Sequence, residues 1–400
     1  MGTFSPVRSV RFFTPGVLLV LAVALLGWGA GIYRMLTGLA ATTNLNDQFP
    51  WGIWIAIDVA TGVALAAGGF TTAALTHIFH RGRYHGLTRA ALLTALLGYT
   101  FVAIGLLFDL GRWYNVWHPL IYWQGNSVLF EVGVCVIAYL TVLYLEFLPV
   151  LAERFHAGLR FPAPLRILEG PARTLVLAGG RAASRIMSLL ILAGVVLSCM
   201  HQSSLGALML IAPTKVHPLW YSPVLPLLFL TSAVAVGFPM VILESVLAHR
   251  SFRRPQDLDV LAPLSRLVPL TLGIYLAIKI GDLLIRDAWV HLLPMDGPAL
   301  AWVAEVGLGG ALPLLLFLLP WTRRAAWRLL LAASLVVGGV AMNRIDVFLV
   351  SWRPPYASGP YVPTLIEVAL TAGLVATLVL LYRFAALRLP VLESREGDAT

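Results

Sequence analysis

Four side chains able to exchange protons lie inside long apolar stretches of this sequence: Asp58, Asp109, Glu131 and His201. Charge is costly inside an apolar helix, so each is a functional candidate by default. Asp58 falls about two turns from one end of its stretch, and Glu131 about one and a half turns in. Asp109 stands in the last turn of its stretch, with Arg112 one turn further on, and His201 lies in the same third of its own. Four helices thus present a protonatable group at similar depth. If they form a bundle, the groups converge on one pocket. Trp54 lies on the Asp58 face, with Trp51, and Trp113, Tyr114, Trp117, His118 and Tyr122 bring aromatic surface to the mouth. An apolar slot with aromatic walls suits a quinone ring. Its two oxygens need partners that give or take protons, and a histidine and a carboxylate on opposite sides serve that purpose. The competing reading makes Arg112 with Asp109, and Arg286 with Asp282, structural ion pairs, and the aromatics an interfacial belt.

The elements that hold these groups follow from composition. The 400 residues are 59% hydrophobic and 12% charged, with mean hydropathy +0.85. A soluble domain carries about 25% charge, so this composition specifies an all-α polytopic membrane protein. Ten stretches approach the ~20 apolar residues a spanning helix needs: 15–36, 52–79, 87–111, 126–149, 185–208, 222–248, 264–286, 298–320, 325–345 and 363–386. Pro15, Pro50, Pro223, Pro298 and Pro363 mark helix starts. With ten spans, three in four of the 28 Lys and Arg fall at the termini and the even-numbered connections. By the positive-inside rule that face is cytoplasmic, with both termini on it, in a bacterial cytoplasmic membrane. The net charge of +9 sits at helix ends, so its natural partners are anionic lipid headgroups rather than nucleic acid. The run after Arg8 and Arg11 is long and lacks a small-residue cleavage site, so a retained first span is expected. The connection 150–184 carries Arg154, Arg160, Arg166, Arg173 and Arg181 with Pro162, Pro164 and Pro171, and reads as a segment on the inner surface.

The two halves echo each other. Arg112 precedes Glu131-Val-Gly, and Arg286 precedes Glu305-Val-Gly at the same spacing, with Asp109 and Asp282 before them. This pattern predicts a parallel repeat, coincidence being the alternative. The expected organisation is an N-terminal segment with peripheral span 1 (1–51), a first four-helix bundle with the site (52–221), a second four-helix bundle (222–362), and peripheral span 10 with a tail (363–400). In the second bundle Lys279, Asp282, Arg286, Glu305 and Arg344 roughly balance, which reads as a neutralised network. Glu146 and Glu244 lie toward the inner face, either starting a proton path or capping helix ends. Cys135 and Cys199 form no Cys-x-x-Cys, so no iron–sulfur, zinc or covalent haem site is expected. His201 alone lies well within a span. A haem at the inner ends, through His77 or His80 with His249, is the weaker alternative.

Several strings resemble the NrfD/PsrC-type membrane subunits: residues 49–58 (Phe49 to Asp58), 66–70 and, in the branch typified by HybB, Asp109-Leu-Gly-Arg112-Trp113-Tyr114-Asn115, Asn126 to Glu131, Met200-His201-Gln-Ser-Ser-Leu-Gly206 and Lys215 to Trp220. The resemblance covers about residues 15 to 388. It implies ten spans, no haem or iron–sulfur cluster in this chain, and menaquinone or ubiquinone as substrate. It implies a ferredoxin-like iron–sulfur partner on the outer face and catalytic subunits beyond it, a nickel–iron hydrogenase pair above all. It further implies proton transfer at Glu131 and a quinone site lined by Asp109 and His201. The same subunit type serves molybdoenzymes and cytochrome-linked complexes akin to alternative complex III. A secondary transporter is the rival function, disfavoured because the charges cluster at one face and no span reads as broken at mid-depth. A structural anchor is the third reading.

Overall fold

The computed structural model describes residues 4–7, 10–156, 166–167, 169–357 and 359–393. Arg8, Arg160, Pro162 and Pro164 lie outside them. Among the described residues, ten helices are long and apolar enough to cross a membrane: Pro15–Thr37, Ile53–Ile78, Gly82–Asp109, Val128–His156, Met187–Ile211, Leu225–Ser251, Leu258–Ile285, Gly297–Leu318, Ala326–Val350 and Leu365–Arg388, here spans 1 to 10. Their starts are set locally. Pro15 and Pro298 occupy the first helical turns, where a missing N–H costs nothing. Asp296 accepts from the Ala299 N–H at 3.0 Å, and Thr364 with Glu367 forms a capping box ahead of span 10.

The described residues nearest the two termini lie on one face. Phe4–Ser5 pairs antiparallel with Leu392–Glu393, and Arg383 on span 10 donates to the carbonyls of Arg11 and Phe12 at 2.7 and 3.1 Å. We call this the basic face. Spans 1 and 10 pack along each other and against span 3. Their crossing is close because a Cβ on Gly27 would stand 2.3 Å from the Gly373 Cα, and the Trp28 indole donates to Thr377 across it at 3.0 Å.

One apolar core runs through spans 2 to 9. Spans 2 and 6 meet where Gly68 faces Val241 and Thr71 faces Gly237. Spans 8 and 9 meet through Gly309 and Gly339, whose backbones leave no room for a Cβ. Several spans are less regular than their apolar runs imply: span 7 breaks between Leu264 and Val268, and span 9 ends in a π turn over Asp346–Val350. Span 2 is interrupted at Ala66 and ends in a π turn over Ala74–Ile78, and span 8 carries a π turn over Gly307–Ala311. The Ala66 interruption faces Gly98 of span 3, and the span 8 turn lies at the Gly309–Gly339 contact, where the backbones approach too closely for a side chain.

The connection after span 4 contains an amphipathic helix, Glu169–Arg185, whose Gly179 and Gly180 pack on Leu148 and Ala152 of span 4. On the opposite face, the segment after span 5 is tied to the segment after span 9: Val216 bridges Trp352, and the His217 N–H donates to Ser351 at 2.8 Å. Burial, then the neighbouring Arg353 and His291, hold the His217 imidazole below its usual pKa.

Candidate functional site

Span 5 places His201 in full burial. One ring nitrogen, Nδ1, meets the Tyr99 hydroxyl of span 3 at 3.2 Å. The other, Nε2, has no partner among the described residues. Gln202, the next residue, donates to the Val63 carbonyl of span 2 at 2.9 Å, fixing span 5 against span 2. Ser204, one turn toward the opposite face, lies 2.5 Å from Glu131 Oε1 on span 4. Glu131 is exposed at the end of that span away from the basic face. The 3₁₀ turn His118–Leu120 folds over that end, with Pro119 Cγ 3.9 Å from where a Cβ on Gly133 would stand. Its loop exposes Trp113, Tyr114, Trp117 and Tyr122, and the Trp117 and His118 rings meet edge to face at 4.4 Å.

Asp58 and Asp109 form a second group, oriented toward spans 1 and 10. Asp109 is buried in an ion pair with Arg34 of span 1, and the Trp51 indole donates to the Asp109 carbonyl at 2.7 Å. Asp58 accepts from Thr371 of span 10 at 2.6 Å, and the Trp54 indole donates to the same hydroxyl at 3.1 Å. Arg34 is an electrostatic neighbour of both aspartates, and so is Glu367. Tyr361, just ahead of span 10, donates to Glu367 at 2.7 Å. Burial and that hydrogen bond push its phenol pKa up.

The structural pairing of Arg112 with Asp109, considered from sequence, is corrected here. Asp109 takes Arg34, which approaches from span 1, while Arg112 is exposed on the loop. Trp51 also lies before the helix, which starts at Ile53, so it reaches Asp109 rather than sharing a helical face with Trp54 and Asp58. The described contacts join Glu131 with Ser204, and His201 with Tyr99, on spans 3 to 5. They join Asp58 and Asp109 to spans 10 and 1. No described hydrogen bond links the two groups.

Sequence reasoning missed Arg34, Tyr99, Ser204 and Thr371. Arg34 had a usable signal, a cation within the last turn of an apolar run. The others had none, since a Tyr, Ser or Thr in a span is unremarkable until its neighbour is known.

The second half folds its charges into a closed network. Glu305 is buried in an ion pair with Lys279 and accepts from Asn343 at 3.0 Å and from the Trp220 indole at 3.1 Å. Arg344, fully buried, donates to Asn343 and Ser232 at 2.5 and 2.8 Å and stacks 3.7 Å over Phe229. Asp282 pairs with Arg286 at 2.8 Å and accepts from Ser222 at 2.7 Å. The Glu-Val-Gly copies therefore diverge: Glu305 is saturated with donors and buried, whereas Glu131 is exposed with Ser204 as its partner. At the basic face the His77 and His85 rings meet at 5.9 Å, and His249 donates to the Ser245 carbonyl at 2.7 Å. Among the described residues no three His, Cys, Asp or Glu stand together as a metal site.

Ten apolar helices, with an imidazole and carboxyls held between them toward the face away from the termini, define a polytopic membrane protein built around protonatable groups. The family model for polysulphide reductase, NrfD, matches residues 41–352, and the chain belongs to that family. It is similar to a protein of Nitratidesulfovibrio vulgaris, 38% identical over 95% of either chain. It is also similar to the probable Ni/Fe-hydrogenase 2 b-type cytochrome subunit of Escherichia coli K12, 34% identical over 96% of this chain and 92% of that one. The menaquinone reductase integral membrane subunit of Nitratidesulfovibrio vulgaris is 26% identical over 80% of this chain and 77% of its own. The resemblance read from the Asp109–Asn115 and Met200–Gly206 strings is borne out at the level of the family and of the hydrogenase-type relative.

Proposed function

We propose that this chain is the quinone-reactive membrane subunit of a respiratory oxidoreductase. It passes electrons between a ferredoxin-like iron–sulfur subunit on the outer face and membrane quinone, with coupled proton transfer. The observation that carries the reading is His201. It is a fully buried imidazole with one nitrogen engaged by Tyr99 and the other unpartnered, one helical turn from the Ser204–Glu131 pair. A buried polar atom without a partner is costly, and a quinone oxygen is a partner of the right chemistry. Glu131, exposed on span 4, is the acid that gives or takes the proton. Arg112, Trp113 and Tyr114 offer the mouth a cation and aromatic surface, while Asp58, Trp54 and the Asp109–Arg34 pair fix the flank next to spans 1 and 10.

The basic-residue asymmetry puts the termini in the cytoplasm of a bacterial inner membrane and this site at the outer face. At the basic face, a groove of about 820 Å³ lined by Phe12, Phe384, Arg154 and Arg388 has the chemistry to hold anionic lipid. The likeness to the Escherichia coli relative supports nickel–iron hydrogenase subunits as the partners we propose first, with a molybdoenzyme or an assembly akin to alternative complex III as the alternative. That relative's name includes a b-type cytochrome, whereas we propose no haem in this chain, because a single histidine lies well within its spans. A secondary transporter remains the other class. The interruption of span 2 speaks for it, and the exposure of Glu131 at the end of span 4 rather than at the midplane speaks against it.

The test is turnover of the purified complex with quinone. His201→Ala and Glu131→Gln are each expected to lower quinone-linked turnover at least tenfold, with artificial-dye reduction and assembly intact and Glu131→Asp retaining part of the rate. Normal quinone turnover in both variants would place the site elsewhere.

A further inference from the structure

The groove at the basic face is built from three separate parts of the chain: the N-terminal segment, the last turn of span 4 and the last turn of span 10. Its volume of about 820 Å³ lies within the ~300–1,000 Å³ of small-molecule sites. One wall is apolar, formed by Val10, Phe12, Phe13, Phe384 and Leu387. The Phe12 ring meets Phe13 at 5.0 Å and Phe384 at 6.4 Å, both edge to face. Arg383 holds that wall in place through the Arg11 and Phe12 carbonyls. Phe13 and Phe384 nevertheless stay 65% and 51% exposed. Phe13 stands two residues before span 1 begins, and Phe384 one turn before span 10 ends. The aromatic wall therefore stands at the edge of the hydrocarbon layer.

Charge in the groove is one-sided once its internal bonds are counted. Among the lining residues Glu153 is the carboxylate, and Arg89 holds it through two bonds at 2.6 and 2.7 Å. Backbone carbonyls at the end of span 10 would repel an anion, but they are already taken. Arg154 Nε donates to the Arg388 carbonyl at 2.8 Å, and Arg89 donates to the Pro390 carbonyl at 3.0 Å. Two guanidiniums are left over. Arg154 uses only its Nε, so its terminal nitrogens are without a partner among the described residues. Arg388 is exposed, lies 5.9 Å over the Phe384 ring and has no ion-pair partner among the described residues. Guanidinium N–H groups match phosphate oxygens in pairs. Cations beside an apolar wall at one membrane face are what a phospholipid needs, for its phosphate and its acyl chains respectively. A zwitterionic lipid would bring its own ammonium against the two guanidiniums, so charge selects an anionic one.

We propose that this groove is a binding site for one anionic phospholipid of the leaflet at the basic face. Its phosphate sits at Arg154 and Arg388, and its acyl chains run along Phe12, Phe13 and Phe384. Arg154 belongs to span 4 and Arg388 to span 10, so the lipid staples the first half of the molecule to the peripheral span and to the N-terminal segment that Arg383 holds. The inference rests on the reading of the basic face as a surface for anionic lipid and is independent of the quinone chemistry at the opposite face.

The test uses the complex isolated through this chain, stripped of lipid in neutral detergent and titrated with phosphatidylglycerol, phosphatidylcholine or inorganic phosphate. Phosphatidylglycerol is expected to raise the thermal midpoint of the wild type, and the other two to leave it unchanged. Arg154→Gln combined with Arg388→Gln should weaken phosphatidylglycerol binding at least tenfold, with quinone-linked turnover within twofold of wild type. Arg154→Lys combined with Arg388→Lys should recover part of the affinity. Arg173→Gln combined with Arg324→Gln, which removes the same charge elsewhere on the basic face, should bind within twofold of wild type. A phosphatidylglycerol with a photoactivatable acyl chain should label wild-type peptides around 10–14 and 380–390. Equal weakening by the two double Gln variants would show a diffuse charge effect in place of a site. That result, label confined to other peptides, or equal stabilisation by phosphatidylcholine or inorganic phosphate would each overturn the proposal and leave the quinone site standing.

Discussion

Asp109 illustrates how much a carboxylate's role depends on what approaches it from elsewhere in the chain. Its sequence neighbour Arg112 suggested a local pair, yet the buried partner is Arg34, 75 residues away. Removing one member of a buried pair strands the other charge, at a cost of about 3–5 kcal/mol. Asp109→Asn is therefore expected to lower the thermal midpoint of the detergent-solubilised protein clearly, and Asp109→Asn combined with Arg34→Met to recover much of the loss. Equal midpoints for wild type and Asp109→Asn would show that the pair contributes nothing to the fold. Asp58, Asp109, Glu131 and His201 were legible in the sequence because ionisable residues are rare in apolar helices. Their division into two groups was not. It depends on which helix lies beside which, and Thr371 and Arg34 are brought in by spans 10 and 1, over 300 residues apart in the chain.

The ten helices were legible because each must satisfy its backbone within itself and meet lipid with apolar side chains. The sequence boundaries agree with the structure closely for most spans. Spans 4 and 7 are the exceptions: span 4 continues to His156 past Pro149, and span 7, expected from 264, starts at Leu258. The interruption of span 2 at Ala66 and the π turn of span 8 were not legible, since hydropathy is blind to how closely two backbones approach. The crossing of spans 1 and 10 depends on such an approach. A Cβ on Gly373 would stand 2.4 Å from the Gly27 Cα, so Gly373→Leu must force the helices apart. We expect it to loosen spans 1 and 10 from the rest and to reduce stability by about 1–3 kcal/mol or more, read as faster proteolysis near residues 38–50. The matching change at Gly29, which meets nothing within 4 Å, should leave proteolysis unchanged. Equal protection of both variants would contradict the close crossing.

At the scale of the whole molecule, the pairing of Phe4–Ser5 with Leu392–Glu393 and the ten spans among the described residues put those two segments on one face, and the excess of basic residues there leads us to expect that face on the cytoplasmic side. Reporters fused after residue 82 and within 150–184 are expected to read cytoplasmic, and those near 120, 217 and 355 external. A cytoplasmic signal at 120 or 217 would reverse the assigned sides. The central claim is that quinone binds between the outer halves of spans 3, 4 and 5, at His201 and Glu131. The most direct measurement is photolabelling of the purified complex with an azidoquinone, followed by peptide mapping. The account predicts label in the peptides around 99–114, 127–139 and 197–208, displaced by excess quinone and reduced in His201→Ala. Displaceable label confined to spans 6 to 9, or to the basic face, would contradict it.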